Sequence, residues 1–159
     1  MVNSEYNQLV IDLSRDIVAQ TAPEELPLYR AISAAYSKNP EKTLRGQTGK
    51  DEDLGFGVTE TTQLLTPVVF SVMSVVVEFL ADEILESYKK ENPEAIKNLI
   101  KNMFKRHKPA QDKRAPSLTS EQLVRVRQHV LEKIRQLGLS DDQARLLADS
   151  IVGSLVAAP

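Results

Sequence analysis

Apolar residues concentrate in one stretch near the middle of the chain, LLTPVVFSVMSVVVEFLA at positions 64–81, which carries one charge, Glu78. The polar residues in and around it recur every three or four positions, which is the period of an α-helix and not of a strand. They form one narrow stripe, and the apolar sector that remains spans roughly 240°, against the ~100° of an ordinary surface helix. We therefore predict a helix that is covered on most sides, with this stripe at its solvent edge. The stripe consists of Glu60, Gln63, Pro67, Ser71, Ser74, Glu78 and Asp82.

Three interpretations of this stretch compete. We favour the centre of a helical bundle, because such a helix is apolar on most sides. A membrane span is the second, although eighteen residues reach only about 27 Å against a hydrocarbon core of ~30 Å, and the stripe would face lipid unless helices oligomerise. A pair of strands is the third, but the period is wrong and no turn residues divide the run.

Pro67 leaves the start of this helix open. A helix that begins near Val58 would hold Pro67 in its interior, where the missing N–H and the ring produce a kink. A helix that begins near Thr66 would have Pro67 at its first position, where proline is well tolerated. We expect the kinked helix, over 58–91, because the polar stripe extends back to Glu60.

Apolar residues at helical spacing predict two helices before the central one and three after it. The second helix should carry Pro27 in its first turn and bury Leu28, Ile32 and Ala35, with Tyr29 and Tyr36 flanking that face. Gly138 suits the left-handed end of the helix before the last one. Polar residues are expected to cap four of these helices: Ser4, Asn92, Thr119 or Ser120, and Ser140.

These elements predict an all-α fold, a bundle of about six helices around a long central Val-rich helix, with a C-terminal helical hairpin. We divide the chain into a helical core at 1–108, a polar linker at 109–117 and the hairpin at 118–159. A hairpin of about forty residues is too small to fold alone. It must therefore pack on the core of its own chain or on a second copy.

The amino-acid composition limits the cellular compartment and the kinds of catalytic and metal chemistry that we expect. The chain of 159 residues has no cysteine, which excludes disulfides, thiolate catalysis and cysteine-ligated metals. Its first residues are acidic and amphipathic and do not resemble a signal peptide, so we expect a cytoplasmic protein. The net charge of −2 is unevenly distributed, with −8 over residues 1–88 and +6 over 89–114. Such a split permits pairing within the chain or between two copies.

Two segments are candidates for contact with a partner. Residues 41–57 contain four of the six glycines and an acidic run, which is typical of a surface loop, with only two apolar anchors. The segment 97–114 is strongly basic, but no aromatic residue except Phe104 is interleaved with its charges. The candidate partner-binding residues are Leu54, Phe56, Lys101, Lys105, Arg106, Lys108, Lys113 and Arg114.

The sequence contains no pattern that indicates an enzyme. Neither His107 nor His129 has a carboxylate at ligand spacing, and the acidic residues that follow Glu78 lack the histidine of a di-iron site. The tract GQTGK at 46–50 lacks the glycine spacing and the hydroxyl residue of a phosphate-binding loop. We accordingly predict no catalytic, cofactor-binding or metal-binding residue, and no cofactor.

We therefore predict a non-enzymatic helical protein–protein interaction module in the cytoplasm that forms a homodimer. One alternative is a membrane-active effector that inserts the helix at 64–81 into lipid. Another is a nucleic-acid-binding accessory protein, or a protein that binds an anionic membrane, through phosphate contacts from the basic segment at 97–114.

Overall fold

The computed structural model describes residues 6–40, 64–87, 92–105 and 117–155. The all-α prediction is confirmed, because packed helices account for most of the described chain and no strand occurs in it. An isolated antiparallel bridge pairs Phe104 with Leu155. Six α-helices lie wholly within the described residues: α1 (Asn7–Thr21), α2 (Leu26–Lys38), α3 (Leu65–Ser87), α4 (Pro93–Asn102), α5 (Ser120–Gln136) and α6 (Asp141–Gly153).

Helix α3 is the centre of the bundle, as predicted. It packs against α1, α2, α4 and α5, and α6 covers α1 and α5 on the far side. Five of its six valines are buried and Val75 is half-buried, and Val69, Val72 and Val77 have no exposed surface at all. The hairpin of α5 and α6 packs on α1 and α3 of its own chain. The central helix is thus enclosed by amphipathic helices, each of which contributes one apolar face.

The start of α3 corrects the predicted kinked helix. Leu64 is not helical, and α3 begins at Leu65, so the helix does not run back through this position to Val58. Pro67 consequently lies in the first turn, where its absent N–H breaks no helical hydrogen bond. The expectation for a start near Thr66 was the better of the two. Residues 58–63 and 88–91 lie outside the described part of the chain.

The polar stripe of α3 is not a solvent edge along its whole length, which corrects the second expectation. Ser71 and Ser74 are each only 5% exposed. Further along the stripe Glu78 is half-buried, and Asp82 is exposed as predicted. The tyrosines of α2 pack at Phe70 and Ser74, in the first half of α3, which accounts for the burial there. The two earliest members of the predicted stripe lie outside the described residues.

The buried face of α2 is rotated from the predicted one. Tyr29, Ile32 and Tyr36 are buried, whereas Leu28 and Ala35 are only half-buried. The two tyrosine rings pack on Phe70 of α3, with ring centroids 5.7 Å and 4.7 Å away. Large rings fill the space beside α3 better than Leu and Ala would, and aromatic pairs gain further from edge and tilted contacts. Pro27 lies in the first turn of α2, as predicted.

The predicted helix ends of the second half of the molecule are confirmed. Asn92 accepts a hydrogen bond from the backbone of Ala95, and Thr119 and Ser140 each form a reciprocal capping box with a glutamine three residues later. Gly138 ends α5 with φ of 78°, a left-handed conformation that favours glycine. In α1 the cap position is Tyr6, while Ser4 lies outside the described residues.

Candidate functional site

Two surfaces at opposite ends of α6 carry the features that bear on function. We call the first the basic end, defined by Lys101 and Lys105. Lys105 is exposed and Lys101 is half-buried. The backbone N–H of Lys105 donates to the carbonyl oxygen of Ser154 at 2.8 Å, which ties the end of α4 to the end of α6. The remaining candidate residues lie outside the described part of the chain: Leu54, Phe56, Arg106, Lys108, Lys113 and Arg114.

A cavity of about 350 Å³ lies beside the basic end, between α1 and the ends of α4 and α6. Its apolar lining comes from Leu13, Ile17 and Phe104, and its charged lining from Asp16 and Lys105. The cavity thus carries one charge of each sign. Its size is at the lower limit for sites of small molecules.

We call the second surface the acidic groove. It is a cavity of about 250 Å³ between the corner from α1 to α2, the first turn of α3 and the first half of α6. Its lining is mostly apolar, with buried floor residues such as Val68 and Leu147. Leu146 lines the groove and is 52% exposed, one of two large apolar side chains that are exposed among the described residues.

Glu25 is the buried acidic group of the groove. Its Oε2 accepts from the backbone N–H of Leu65, and its Oε1 accepts from the backbone N–H and the hydroxyl of Thr66, at 2.7–2.8 Å. These donors belong to the first turn of α3, where helical N–H groups have no partner of their own and the helix dipole attracts negative charge. Glu25 therefore caps α3 from a neighbouring element, and its carboxylate is fully engaged.

The rim of the groove is acidic. Glu24 lines it and is exposed, and no described residue forms an ion pair with it. Asp142 is exposed one helical turn before Leu146, so both lie on neighbouring positions of one α6 face. No lysine or arginine is among the described residues that line the groove. The groove therefore combines a mostly apolar lining with one exposed carboxylate, Glu24. Asp142 is not among the lining residues and lies in the first turn of α6, where the helix dipole favours negative charge.

A buried hydrogen bond between Tyr36 and Ser74 joins α2 to α3 and stabilises their packing. The Ser74 hydroxyl donates to the carbonyl oxygen of Phe70 at 2.8 Å, so the Tyr36 hydroxyl, 3.0 Å from Ser74 Oγ, is the donor to it. Burial raises the pKa of Tyr36, and the bond to Ser74 only partly opposes that rise. Both residues are buried, and neither lines the cavity beside the basic end or the acidic groove described above.

The described titratable residues do not form a metal site, since they contain no group of three His, Asp or Glu side chains at binding distance. His129 packs its ring on Phe79, with centroids 5.0 Å apart. Arg125 also lies over the Phe79 ring, 5.9 Å from its centroid, and pairs with Glu83 at 3.2 Å. This group ties α5 to α3 at the surface. His107 lies outside the described residues.

One described helix has the length and apolar character to cross a membrane. It covers Leu65–Ile84 of α3, with 20 residues and a mean hydropathy of 1.7, and 72% of its apolar window is buried in the bundle. A soluble protein is compatible with this arrangement, because the core helix of a bundle has the same composition.

Comparison with known protein families, with curated proteins and with solved structures finds no match to this chain. The candidate surfaces therefore rest on geometry and charge alone. Lys101 and Lys105 remain predicted partner-binding residues, and the sequence patterns did not predict the acidic groove. A signal for it exists in the Pro-Glu-Glu turn at 23–25 and in the offset of Leu146 from the buried face of α6.

Proposed function

We propose that this protein is a cytoplasmic, non-enzymatic helical interaction module that associates with a second copy of itself. The observation that carries the proposal is the acidic groove with the half-exposed Leu146 in its wall. The proposal assigns Leu146 to a binding surface, because contact of this exposed side chain and the apolar groove with a partner would remove both from water. The buried carboxylate of the groove is engaged in capping α3, so the groove offers shape and charge but no free reacting group.

Self-association has support from the distribution of charge. Residues 1–88 carry a net charge of −8 and residues 89–114 a net charge of +6, although the whole chain is nearly neutral. Segments of opposite charge in one chain can attract a second copy and orient its approach. The hairpin closes on its own core, so this association leaves each chain folded as a unit and requires no exchange of helices.

Light scattering at micromolar concentration tests this proposal. We expect about twice the chain mass of 17.7 kDa. Leu146→Ser should reduce the dimer fraction, whereas Val124→Ser should not, since Val124 is equally exposed at 55% but lies on α5 outside the groove. A single-chain mass at every concentration, for the parent protein, would contradict self-association.

A membrane-active effector is the second candidate, and it is favoured by one observation. Helix α3 is long enough to cross a bilayer and is wrapped by amphipathic helices. Their apolar faces would be free to lie on a membrane surface if α3 inserted. Flotation with vesicles of anionic lipid separates the candidates. The interaction module should stay at the bottom of the gradient, and the effector should float with the lipid.

A further inference from the structure

We infer that acid transfers α3 from the core of the bundle into an anionic membrane. This inference deepens the second candidate function, the membrane-active effector, and rests on it, because it names the condition under which the helix leaves the core. Its basis is a combination that α3 alone shows among the described helices. It is long enough to cross a bilayer, and every charge that it carries is a carboxylate, which a proton neutralises.

The charges on the apolar part of α3 are all of one kind. Leu65–Ile84 contains Glu78, Asp82 and Glu83 but no lysine or arginine, whereas each of the other five described α-helices contains at least one lysine or arginine. A charged group deep in lipid is costly, and lysine and arginine keep their charge at any moderate pH. Acid therefore makes α3 electrically neutral but leaves the other helices charged.

The neutral form of α3 has the dimensions and the internal hydrogen bonds that a bilayer requires. Its 20 residues reach about 30 Å at 1.5 Å per residue, which matches the ~30 Å hydrocarbon core. An α-helix also satisfies its backbone hydrogen bonds internally. Ser74 needs no partner outside α3, because its hydroxyl donates to the carbonyl oxygen of Phe70. This hydroxyl keeps its acceptor when α3 leaves α2.

Acid also weakens the contacts that hold α3 in the bundle near both of its ends. At the start, Glu25 accepts hydrogen bonds from the backbone N–H groups of Leu65 and Thr66 and from the Thr66 hydroxyl. Near the other end, Glu83 pairs with Arg125 of α5 at 3.2 Å. Both contacts have their full strength only while the carboxylate is ionised, since charged acceptors form the stronger bonds. Protonation therefore loosens the first turn and the last turns of α3 together.

The α5 side of this contact becomes more positive in acid. The His129 ring packs on Phe79 of α3, and Arg125 lies over the same ring. Histidine gains a proton in mild acid, so both groups are cations once Glu83 has lost its negative charge. Gln122, which also hydrogen-bonds to Glu83, has no charge at any pH. The electrostatic attraction between α5 and α3 is thereby lost.

The other neighbours of α3 offer no replacement for that attraction. Tyr36 of α2 lies within electrostatic range of Glu78, and its phenol is uncharged in acid. The groove around Glu25 contains no lysine or arginine among the described residues that line it. In the described chain, no lysine or arginine of α1, α2 or α4 forms an ion pair with Glu25 or with an acidic residue of α3.

An anionic membrane favours the transfer through its own charge. The isoelectric point of the chain is about 5.8, so the protein becomes positively charged below that pH and is attracted to anionic lipid. The negative potential of such a surface also concentrates protons, so the pH at the lipid is lower than in bulk solution. Both effects act in the same direction as the neutralisation of α3.

Flotation of the full-length chain at two pH values tests this inference. The vesicles contain equal parts of phosphatidylcholine and phosphatidylglycerol. We expect the protein at the bottom of the gradient at about pH 7.4 and with the lipid at about pH 4.5, where carboxylates begin to gain protons. Roughly 1 M salt should not release the bound protein, because it screens attraction to the lipid surface but does not extract an inserted helix.

Charge variants separate insertion from adsorption at the surface. Glu78→Lys places a charge that acid does not remove within the apolar span, and it should lower partitioning into lipid at acid pH by about tenfold or more. The matched control is Glu132→Lys, which makes the same change of charge at an exposed site of α5 and should float as the parent does. Glu78→Gln carries no charge to neutralise and should move the midpoint of flotation to higher pH.

Each result supports or overturns the inference. A parent protein that stays at the bottom at both pH values overturns it together with the second candidate function. Flotation at neutral pH overturns the acid requirement but supports that candidate. Glu78→Lys that floats as well as Glu132→Lys shows adsorption by surface charge and overturns insertion, as does an unchanged midpoint for Glu78→Gln.

Two controls keep these results separate from folding and from self-association. Because Glu78 is half-buried, circular dichroism at neutral pH must show that Glu78→Lys is folded. If it is not, the shift of the Glu78→Gln midpoint decides between insertion and adsorption. Self-association is measured by light scattering at neutral pH without lipid, so it stands or fails independently of every flotation result.

Discussion

The two halves of α3 present the same polar stripe to different surroundings. In the first half Ser71 and Ser74 are buried, and Tyr36 of α2 hydrogen-bonds to Ser74 and packs on Phe70. In the second half Glu78 and Asp82 remain open to water in part or in full, and the neighbouring rim consists of charged and polar side chains from α5. A stripe of helical period therefore indicates where polar groups are, but not whether water reaches them.

Side-chain chemistry explains which half is covered. A serine hydroxyl satisfies its donor locally by bonding to the carbonyl four residues earlier, as Ser74 does to Phe70. It can then be buried at small cost. A carboxylate has no such local solution, and burying it without a partner is expensive. The covered half of α3 accordingly holds serines, and the carboxylates lie towards the open half.

The largest expected effect comes from placing a charge in the covered half. Ser74→Asp should destabilise the protein by about 4 kcal/mol, because it buries an unpaired carboxylate beside Tyr36. Val76→Asp should cost as much, since Val76 is 1% exposed. Urea unfolding measures both. The control is Asp82→Ser in the open half, with a change within about 0.5 kcal/mol. A mild effect of Ser74→Asp would contradict the burial of Ser74 and would indicate that the whole polar stripe faces solvent.

The second largest loss of stability should come from removing the Glu25 cap on α3. Glu25→Ala leaves two backbone donors and one hydroxyl without their acceptor in a buried site and should cost about 2 kcal/mol. Glu25→Gln keeps one acceptor oxygen and should lose less. Thermal unfolding of both variants checks this order. If both variants lost a negligible amount of stability, the Glu25 carboxylate would not be stabilising the first turn of α3.

The contact between α2 and the covered half should be weaker. Tyr36→Phe removes one buried hydrogen bond and should cost about 1 kcal/mol. Ser74→Ala, which deletes the acceptor instead, should cost a similar amount, and the double variant should lose less than the sum. Additive losses, measured by urea unfolding, would show that the two hydroxyls are not coupled.

Tyr29 and Tyr36 of α2 should make the stability of the protein depend on pH in the alkaline range. Burial raises the pKa of Tyr29 and Tyr36 above 10, so the folded state holds protons that the unfolded state loses. Their contribution is complete below pH 10 and declines as the pH rises above it. Unfolding free energy measured from pH 8 to 11 should therefore fall, and Tyr36→Phe should flatten that fall. An unchanged slope would contradict the burial of the ionising group.

The open half should give the smallest effect. Glu83→Ala removes an ion pair with Arg125, whose side chain is 50% exposed, and should cost about 0.5 kcal/mol or less. A double-mutant cycle with Arg125→Ala, at low and high salt, measures the coupling. A loss of unfolding free energy comparable to that of Glu25→Ala would contradict the proposed difference in burial between the two halves of α3.

Local sequence patterns were sufficient to predict the described helices of the second half of the molecule and where they end. The capping residues Asn92, Thr119 and Ser140 and the left-handed Gly138 depend on hydrogen bonds within four or five positions, so the sequence predicts them directly. The buried face of α6 is equally local, because Ala144, Leu147 and Ile151 follow one helical period. The all-α class follows from the same short-range regularities.

Tertiary structure decided what each polar position experiences. The cap on α3 comes from Glu25, forty positions away, and the partner of Ser74 is Tyr36, so no local pattern contains either contact. The acidic groove likewise exists only because the corner after α1, the start of α3 and the start of α6 converge. Periodicity along one helix reports the angle of a side chain, whereas burial depends on which neighbour packs at that angle, and the neighbours are chosen by the fold as a whole.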